Sequence, residues 1–198
     1  MGLDLEYIKG QTPIDDEEKE GLLIKTISTR GELDEFEQSN IQTAVEWSLR
    51  RKFSYEKILT VSFIQEVHER MFSEVWEWAG KFRKSDKNIG VDKYYIEQHL
   101  ISLLDDCKFW IENQVYGNDE IAIRFKYRLV KIHPFPNGNG RHSRICADIL
   151  ISHALNKPIF TWGGKDLTEQ SEIRTKYLSA IYQADQEIIE PLIAFARY

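Results

Sequence analysis

Cysteine is scarce in this 198-residue chain. Its two cysteines, Cys107 and Cys146, are far apart and match neither a metal-ligand nor a redox spacing, which excludes a disulfide framework and a zinc unit. Each sits among apolar residues at helical spacing and reads as a buried free thiol, consistent with a reducing compartment. Long hydrophobic runs are also lacking: none approaches the length of a membrane span. The opening Met-Gly-Leu-Asp-Leu-Glu has no apolar signal core, and Glu6 stands where a myristoylation signal wants Ser or Thr. The expectation is a soluble, cytoplasmic protein with no membrane partner. Basic excess is missing as well. With 26 Lys and Arg against 32 Asp and Glu the formal net charge is −6, and the longest basic run is Arg50-Arg51-Lys52. A track for nucleic acid needs a basic stripe, so nucleic acid is disfavoured as a partner. A nucleotide is not, because it needs only one local positive pocket.

What is present favours a packed helical body. Apolar residues make up 42% of the chain, with five Trp, nine Tyr and ten Phe to give the core bulk. Residues 1–30 read as an irregular arm carrying Pro13 and the acidic run Asp15-Asp16-Glu17-Glu18, with Leu22, Leu23 and Ile24 pinning it to the body. Residues 31–198 then read as one domain. Thr29 and Glu32 form a capping-box pattern, followed by an apolar face of Leu33, Phe36, Ile41, Ala44, Val45 and Leu49. Further helical faces carry Phe63, Val67 and Met71; then Ile96 to Ile111; then a helix opening near Asn118 and ending about His133, because Pro134 disfavours helical geometry in the residue before it. A fifth helix spans about 140–155 with Ile145, Ile149 and His153 or Ala154 inward. A sixth opens near Asp166, and Pro191 suits the first turn of a last short helix. The stretch from Gly80 to Tyr95 is polar, holds Gly80 and Gly90 and has no helical period, which fits a plain loop or a small hairpin.

The chemistry is concentrated in His133-Pro-Phe-Pro-Asn137-Gly138-Asn139-Gly140-Arg141-His142-Ser143-Arg144. Gly138 and Gly140 let the backbone take unusual angles and approach a ligand closely. The helix that follows turns its free N–H groups and positive dipole end back on that loop, which makes an anion site. Arg141 and Arg144 share one helical face and can fork onto phosphate oxygens. His133 at the rim can take a proton near neutral pH. Asn137 can offer its amide oxygen to a metal such as magnesium, which favours few protein ligands alongside phosphates. Together these residues read as a polyphosphate cradle beside a base.

This segment resembles the signature of the Fic family, H-x-F-x-[DE]-G-N-G-R-x-x-R, with one fixed position departing. Trp78-Ala79-Gly80-Lys81-Phe82-Arg83 and the polar stretch after it are similar to the Fic flap, a hairpin that aligns a target segment. The whole-chain layout, including Thr12-Pro13, resembles the subgroup called mobile mystery protein B. The resemblance implies an all-α, Fic-type helical domain with a short β-hairpin flap at about 80–95. It implies a protein adenylyltransferase that moves AMP from ATP, with Mg2+ or Mn2+, to a Ser, Thr or Tyr hydroxyl of a target protein. In that family His133 would be the general base and Phe135 a core anchor. Gly138, Asn139, Gly140 and Arg141 would hold the phosphates, Arg144 would hold the γ-phosphate, and Asn137 would stand at the metal position. The related Doc kinases carry Lys where this chain has Gly140, which favours AMP transfer over phosphate transfer.

Two departures matter. Asn137 replaces an acid and implies weaker metal affinity. Gln42, in Gln38-Ser39-Asn40-Ile41-Gln42-Thr43, stands where many Fic proteins have an inhibitory Glu, which implies weak or absent self-inhibition or restraint by a separate protein, with Glu46 as a substitute acid. Three other readings stand beside this one: a nucleotide-binding regulatory module with weakened catalysis, a Fic variant transferring another nucleotide or phosphate group, and a metal nuclease built on His133, Asn139 and His142. The helical flanks and acidic charge disfavour the nuclease.

Overall fold

In a computed structural model, residues 13–164 and 172–198 are described. Local chemistry sets the helix starts. The short α1 (Asp16–Glu20) opens inside the acidic run, where Asp15 and Glu18 form a capping box. α2 (Arg30–Leu49) starts on Thr29, whose hydroxyl accepts from the Glu32 amide while Glu32 reaches back to the Thr29 amide. The Thr60 hydroxyl accepts from the Phe63 amide at the start of α4 (Val61–Phe72), just after the single turn of α3 (Tyr55–Ile58). Then come α5 (Ile96–Glu112), α6 (Asn118–Ile132), α7 (Asn139–Ile149), α8 (Glu172–Ala184) and α9 (Glu190–Arg197), the last with Pro191 in its first turn. α7 runs on through a wider turn over Leu150–Ala154, closed by an i→i+5 bond from the Leu155 amide to the Leu150 carbonyl.

α6 is the central element. It packs against α5, α7 and α9, while α2 lies on α4 and α8 on α9. Its buried residues surround it: Ile121, Ala122, Ile123, Phe125, Lys126, Leu129 and Ile132. Phe63, Phe72, Phe125 and Phe135 are fully or almost fully enclosed, each worth about 1.5–3 kcal/mol relative to an exposed ring.

The structure corrects several expectations. The arm is not wholly irregular, since α1 lies within it, and only part of its apolar triplet serves as a pin: Leu22 is 5% exposed and Leu23 48%. In the fifth helix Cys146, Ile149 and Leu150 point inward, while Ile145 and His153 are half-buried. The expected start of the sixth helix at Asp166 lies outside the described residues. The β-hairpin flap is not formed. Among the described residues the one β-type pairing is an isolated antiparallel bridge between Leu22 and Trp76. Residues 80–92 form an irregular loop because their backbone groups pair with the end of α6 rather than with each other. The Arg83 amide donates to the Pro134 carbonyl (2.9 Å) and the Val91 amide to the Ile132 carbonyl (3.3 Å).

Candidate functional site

A cleft of about 350 Å3 runs between the segment 137–144 and α8, lined by His133, Asn137, Gly138, Asn139, Gly140, Arg141 and Arg144. Its other walls include Arg30, Ile89, Lys131, Arg174, Tyr177 and Asp185. The residues expected to act as base, phosphate holders and metal ligand therefore reach one cavity, but by different routes and with different side-chain duties.

His133 ends α6 in the left-handed conformation, φ 54°, where the following proline blocks another helical turn. The Arg83 Nε donates to the His133 carbonyl at 2.7 Å, and the same guanidinium also bonds the Val91 and Ser85 carbonyls. The flap loop is thus tied to the backbone of the candidate base. Gly90 makes this closeness possible: its φ is 116°, and a Cβ there would fall 2.8 Å from the His133 Cβ. Burial, with smaller contributions from the Arg83 and Lys87 charges, pushes the His133 imidazole down to about 4. The ring is neutral at physiological pH, the form that accepts a proton.

The loop between α6 and α7 is stapled from inside. The Asn139 side chain accepts from the Phe135 amide (3.0 Å) and donates to the Phe135 carbonyl (2.8 Å). Phe135 stacks on His68 with ring centroids 3.8 Å apart. His68 in turn joins flap to loop: the Gly80 amide donates to its Nδ1 (3.0 Å), which leaves Nε2 as the donor to the Asn137 carbonyl (3.0 Å). Burial and the neighbouring His142 hold His68 well below the ordinary histidine value, so this bridge is neutral. Gly138 begins α7 at φ 77°, and a Cβ there would sit 2.5 Å from the Phe72 ring. A Cβ on Gly140 would meet no described atom within 4 Å, so packing does not demand that glycine.

The first amides of α7 face the cleft end of the helix, where they have no intrahelical acceptor. One loop amide is already engaged: Gly138 N donates to the Asn137 Oδ1 at 2.7 Å, and Arg141 Nη2 approaches that oxygen at 3.5 Å. The oxygen expected to hold a metal therefore faces an N–H and a guanidinium, surroundings that disfavour a cation. Among the described residues no group of three or more His, Cys, Asp or Glu is arranged to hold one. The residues present do not fit a protein-held metal.

Arg141 donates to Glu37 of α2 at 2.6 Å and lies 5.0 Å from the Phe72 ring. Glu37 is 2% exposed and also accepts from the Trp76 indole at 2.7 Å. Gln42 and Glu46, the expected sites of an inhibitory acid, bond to each other on the exposed face of α2, and Glu46 also pairs with Arg50. The acid of α2 that meets the motif is Glu37. Its signal was available in the sequence, because it falls in the buried stripe Leu33, Glu37, Ile41, Ala44, Ser48. An acid on an inward helical stripe calls for a cationic partner. Arg144 lies one turn beyond Arg141, its guanidinium 5.9 Å from the Tyr177 ring.

Two side chains of lesser standing point away. His142 is fully buried, bonds the Ile64 carbonyl (2.9 Å) and approaches the Cys146 sulfur, so it does not converge with His133 and Asn139 as a nuclease cluster would require. Trp162 is buried against Asp148, to which its indole donates at 3.0 Å, and does not wall the cleft.

Residues 58–151 match the model of the Fic/DOC family. The chain carries a Fic/DOC family domain. Among characterised proteins, Protein adenylyltransferase Fic of Aedes aegypti is 28% identical over 141 residues, 69% of this chain and 27% of the relative. Its counterpart from Drosophila willistoni is 27% identical over 142 residues with the same shares. The chain thus spans 27% of the length of these relatives. Among solved structures, BepC of Bartonella tribocorum with bound AMPPNP aligns with a TM-score of 0.64 at 18% identity, over 96% of this chain and 93% of that one. C. elegans Fic-1 aligns with a TM-score of 0.62 at 22% identity, over 81% and 48%. At these identities the structural likeness shows the fold. No described helix is long and apolar enough to cross a membrane.

Proposed function

We propose that the cleft binds ATP and transfers its AMP group to a Ser, Thr or Tyr hydroxyl of a target protein, with pyrophosphate leaving. The observation that carries this reading is the convergence in one cleft of a neutral His133 with the glycine-started N-terminus of α7, Arg141 and Arg144. His133 takes the proton of the attacking hydroxyl. The α7 amides and the Gly138–Gly140 backbone receive the inner phosphates, and Arg144 holds the outer one. Charge neutralisation and positioning then supply the catalysis. The open surroundings of Gly140 leave room for phosphates at the start of α7, where the Lys of a Doc-type kinase would project. The characterised relatives are named for adenylyl transfer, which supports the same choice.

Magnesium enters this scheme on the nucleotide. The motif side chain expected to hold it, Asn137, has its oxygen turned to the Gly138 amide. We assign residues 31–198 to the catalytic domain and 1–30 to an appendage, in a cytoplasmic protein of the mobile mystery protein B subgroup. With Gln42 and Glu46 turned outward, restraint falls to a separate inhibitory protein.

Incubation with ATP labelled at the α-phosphate, plus magnesium or manganese, should deposit label on protein. Mass spectrometry of the product should show one AMP added, and His133→Ala should abolish it. The competing reading is a nucleotide-binding regulatory module, favoured by the amide at position 137. It requires ATP binding with no covalent label even in excess manganese and candidate targets, and that outcome would replace the transferase reading.

A further inference from the structure

Behind the cleft sits a charge the proposed reaction has not used. Lys126, on the central helix α6, is fully buried. Its ammonium bonds the Tyr177 hydroxyl and lies 4.6 Å from the centroid of that ring. Among the described residues no carboxylate lies within ion-pair reach of Lys126 or Arg144. Asp148, one turn beyond Arg144, feels the Arg144 charge, but its oxygens are taken by the Trp162 indole and the Phe160 amide. A buried ammonium is costly without a compensating negative charge. Tyr177 joins Lys126 to the cleft that it lines, and the Arg144 guanidinium lies 5.9 Å from its ring. A phenol oxygen that accepts from Lys126 keeps its own O–H to donate, and Tyr177 lines the cleft.

We infer that Tyr177 is a phosphate-binding residue of the cleft, donating its hydroxyl to the outer end of a polyphosphate, and that Lys126 is the positioning residue that holds and polarises it from behind. This rests on the reading of the cleft as a nucleotide site and deepens it. The cations Lys126 and Arg144 have one natural counter-charge, the β- and γ-phosphates, and the device makes the cleft select nucleotides by phosphate number. The electrostatics agree. Burial by itself pushes the Tyr177 hydroxyl up, but the Lys126 and Arg144 charges and the Lys126 hydrogen bond outweigh it and bring it below the ordinary tyrosine value. Such a phenol is a stronger hydrogen-bond donor.

The test is calorimetric titration of the full chain with ATP, ADP, AMP and inorganic tripolyphosphate. Tyr177→Phe removes one oxygen and leaves the ring. It should weaken ATP and tripolyphosphate roughly tenfold, as expected for one hydrogen bond to a charged group, and change AMP less than about twofold. Lys126→Met should give the same pattern with its melting temperature held or raised, since an apolar side chain replaces a buried charge. Equal weakening of ATP and AMP in Tyr177→Phe would reduce Tyr177 to a packing residue and overturn the inference. So would wild-type ATP affinity in Lys126→Met. If Lys126→Met does not fold, the Tyr177→Phe comparison decides alone. A wild-type chain that binds neither ATP nor tripolyphosphate would overturn this inference and the nucleotide reading together. Tight, variant-sensitive ATP binding without covalent label would remove only the transferase reading.

Discussion

The two ends of the cleft are built on opposite principles. The end formed by 133–141 is closed on itself: Asn139 staples Phe135, His68 ties Gly80 to Asn137, Arg83 holds the His133 carbonyl, and Glu37 takes Arg141. Its shape is set before any ligand arrives. The end formed by Arg144, Lys126 and Tyr177 gathers positive charge around a phenol, with no carboxylate in reach of either cation among the described residues. The first end is preorganised by hydrogen bonds, whereas the second is held in tension by charge. The difference separates residues whose loss deforms the site from residues whose loss weakens ligand binding alone.

The largest effect that would sharpen this contrast is on chemistry. His133→Ala should lower AMP transfer by roughly 10²–10⁴-fold while leaving ATP affinity nearly unchanged, measured by label incorporation beside calorimetry. A matching loss of affinity would put His133 among the binding residues instead. Next come the deformations. Gly138→Ala forces a side chain into a left-handed residue facing Phe72, and should cost about 2 kcal/mol or more in chemical denaturation, with part restored by Phe72→Leu. Wild-type stability in that variant would mean the loop is softer than its bonds indicate. Glu37→Ala strands the Trp76 indole and removes the Arg141 partner, for an expected loss of about 2–4 kcal/mol. Glu46→Gly on the outer face of the same helix should cost about 1 kcal/mol, the helix penalty of glycine, and leave transfer unaltered. Activation by Glu46→Gly would mean that α2 moves in solution.

Acid should also attack the stapled end first. His133 and His142 are held down to about 4, mainly by burial, and His68 lies well below its ordinary value. In the unfolded chain these rings bind protons at about 6.5, so between 6.5 and 4 the unfolded state binds more of them. Their stabilising contribution is therefore full above that window and is lost as pH falls through it. Asp148, raised to about 6 chiefly by burial, works in the opposite direction and offsets part of the loss. Melting temperature should fall as pH drops from 7 to 4.5, and a flat profile would contradict the buried, neutral imidazoles. Among substitutions in the cleft, the smallest effect on transfer is expected from Asn137→Asp. It should raise the magnesium dependence of transfer by roughly tenfold or less, because a carboxylate near Arg141 is itself partly neutralised.

Much of the fold was legible because its signals are local. The Thr29–Glu32 capping box, the end of α6 before Pro134 and the Pro191 start of α9 follow from bonds or clashes within a few residues of chain. The motif was legible for the same reason: its loop, its glycines and the helix after it are contiguous. The hairpin was not, because a polar stretch with two glycines does not reveal which carbonyls its amides will find. Here they found those of Ile132 and Pro134.

By itself, then, the sequence determined the starts of α2 and α9 and the end of α6, that Gly138 precedes a helix N-terminus, and that an imidazole and two guanidiniums lie within twelve residues of one another. Those properties depend on backbone sterics and hydrogen bonds between near neighbours. Only the tertiary structure decided that Glu37 rather than Gln42 or Glu46 meets the motif, that the Asn137 oxygen turns to an amide, that His68 joins flap to loop, and that Lys126 and Tyr177 stand behind Arg144. Each of those contacts joins groups from separate elements, and the buried partner of a polar side chain is fixed by the packing of helices rather than by spacing along the chain.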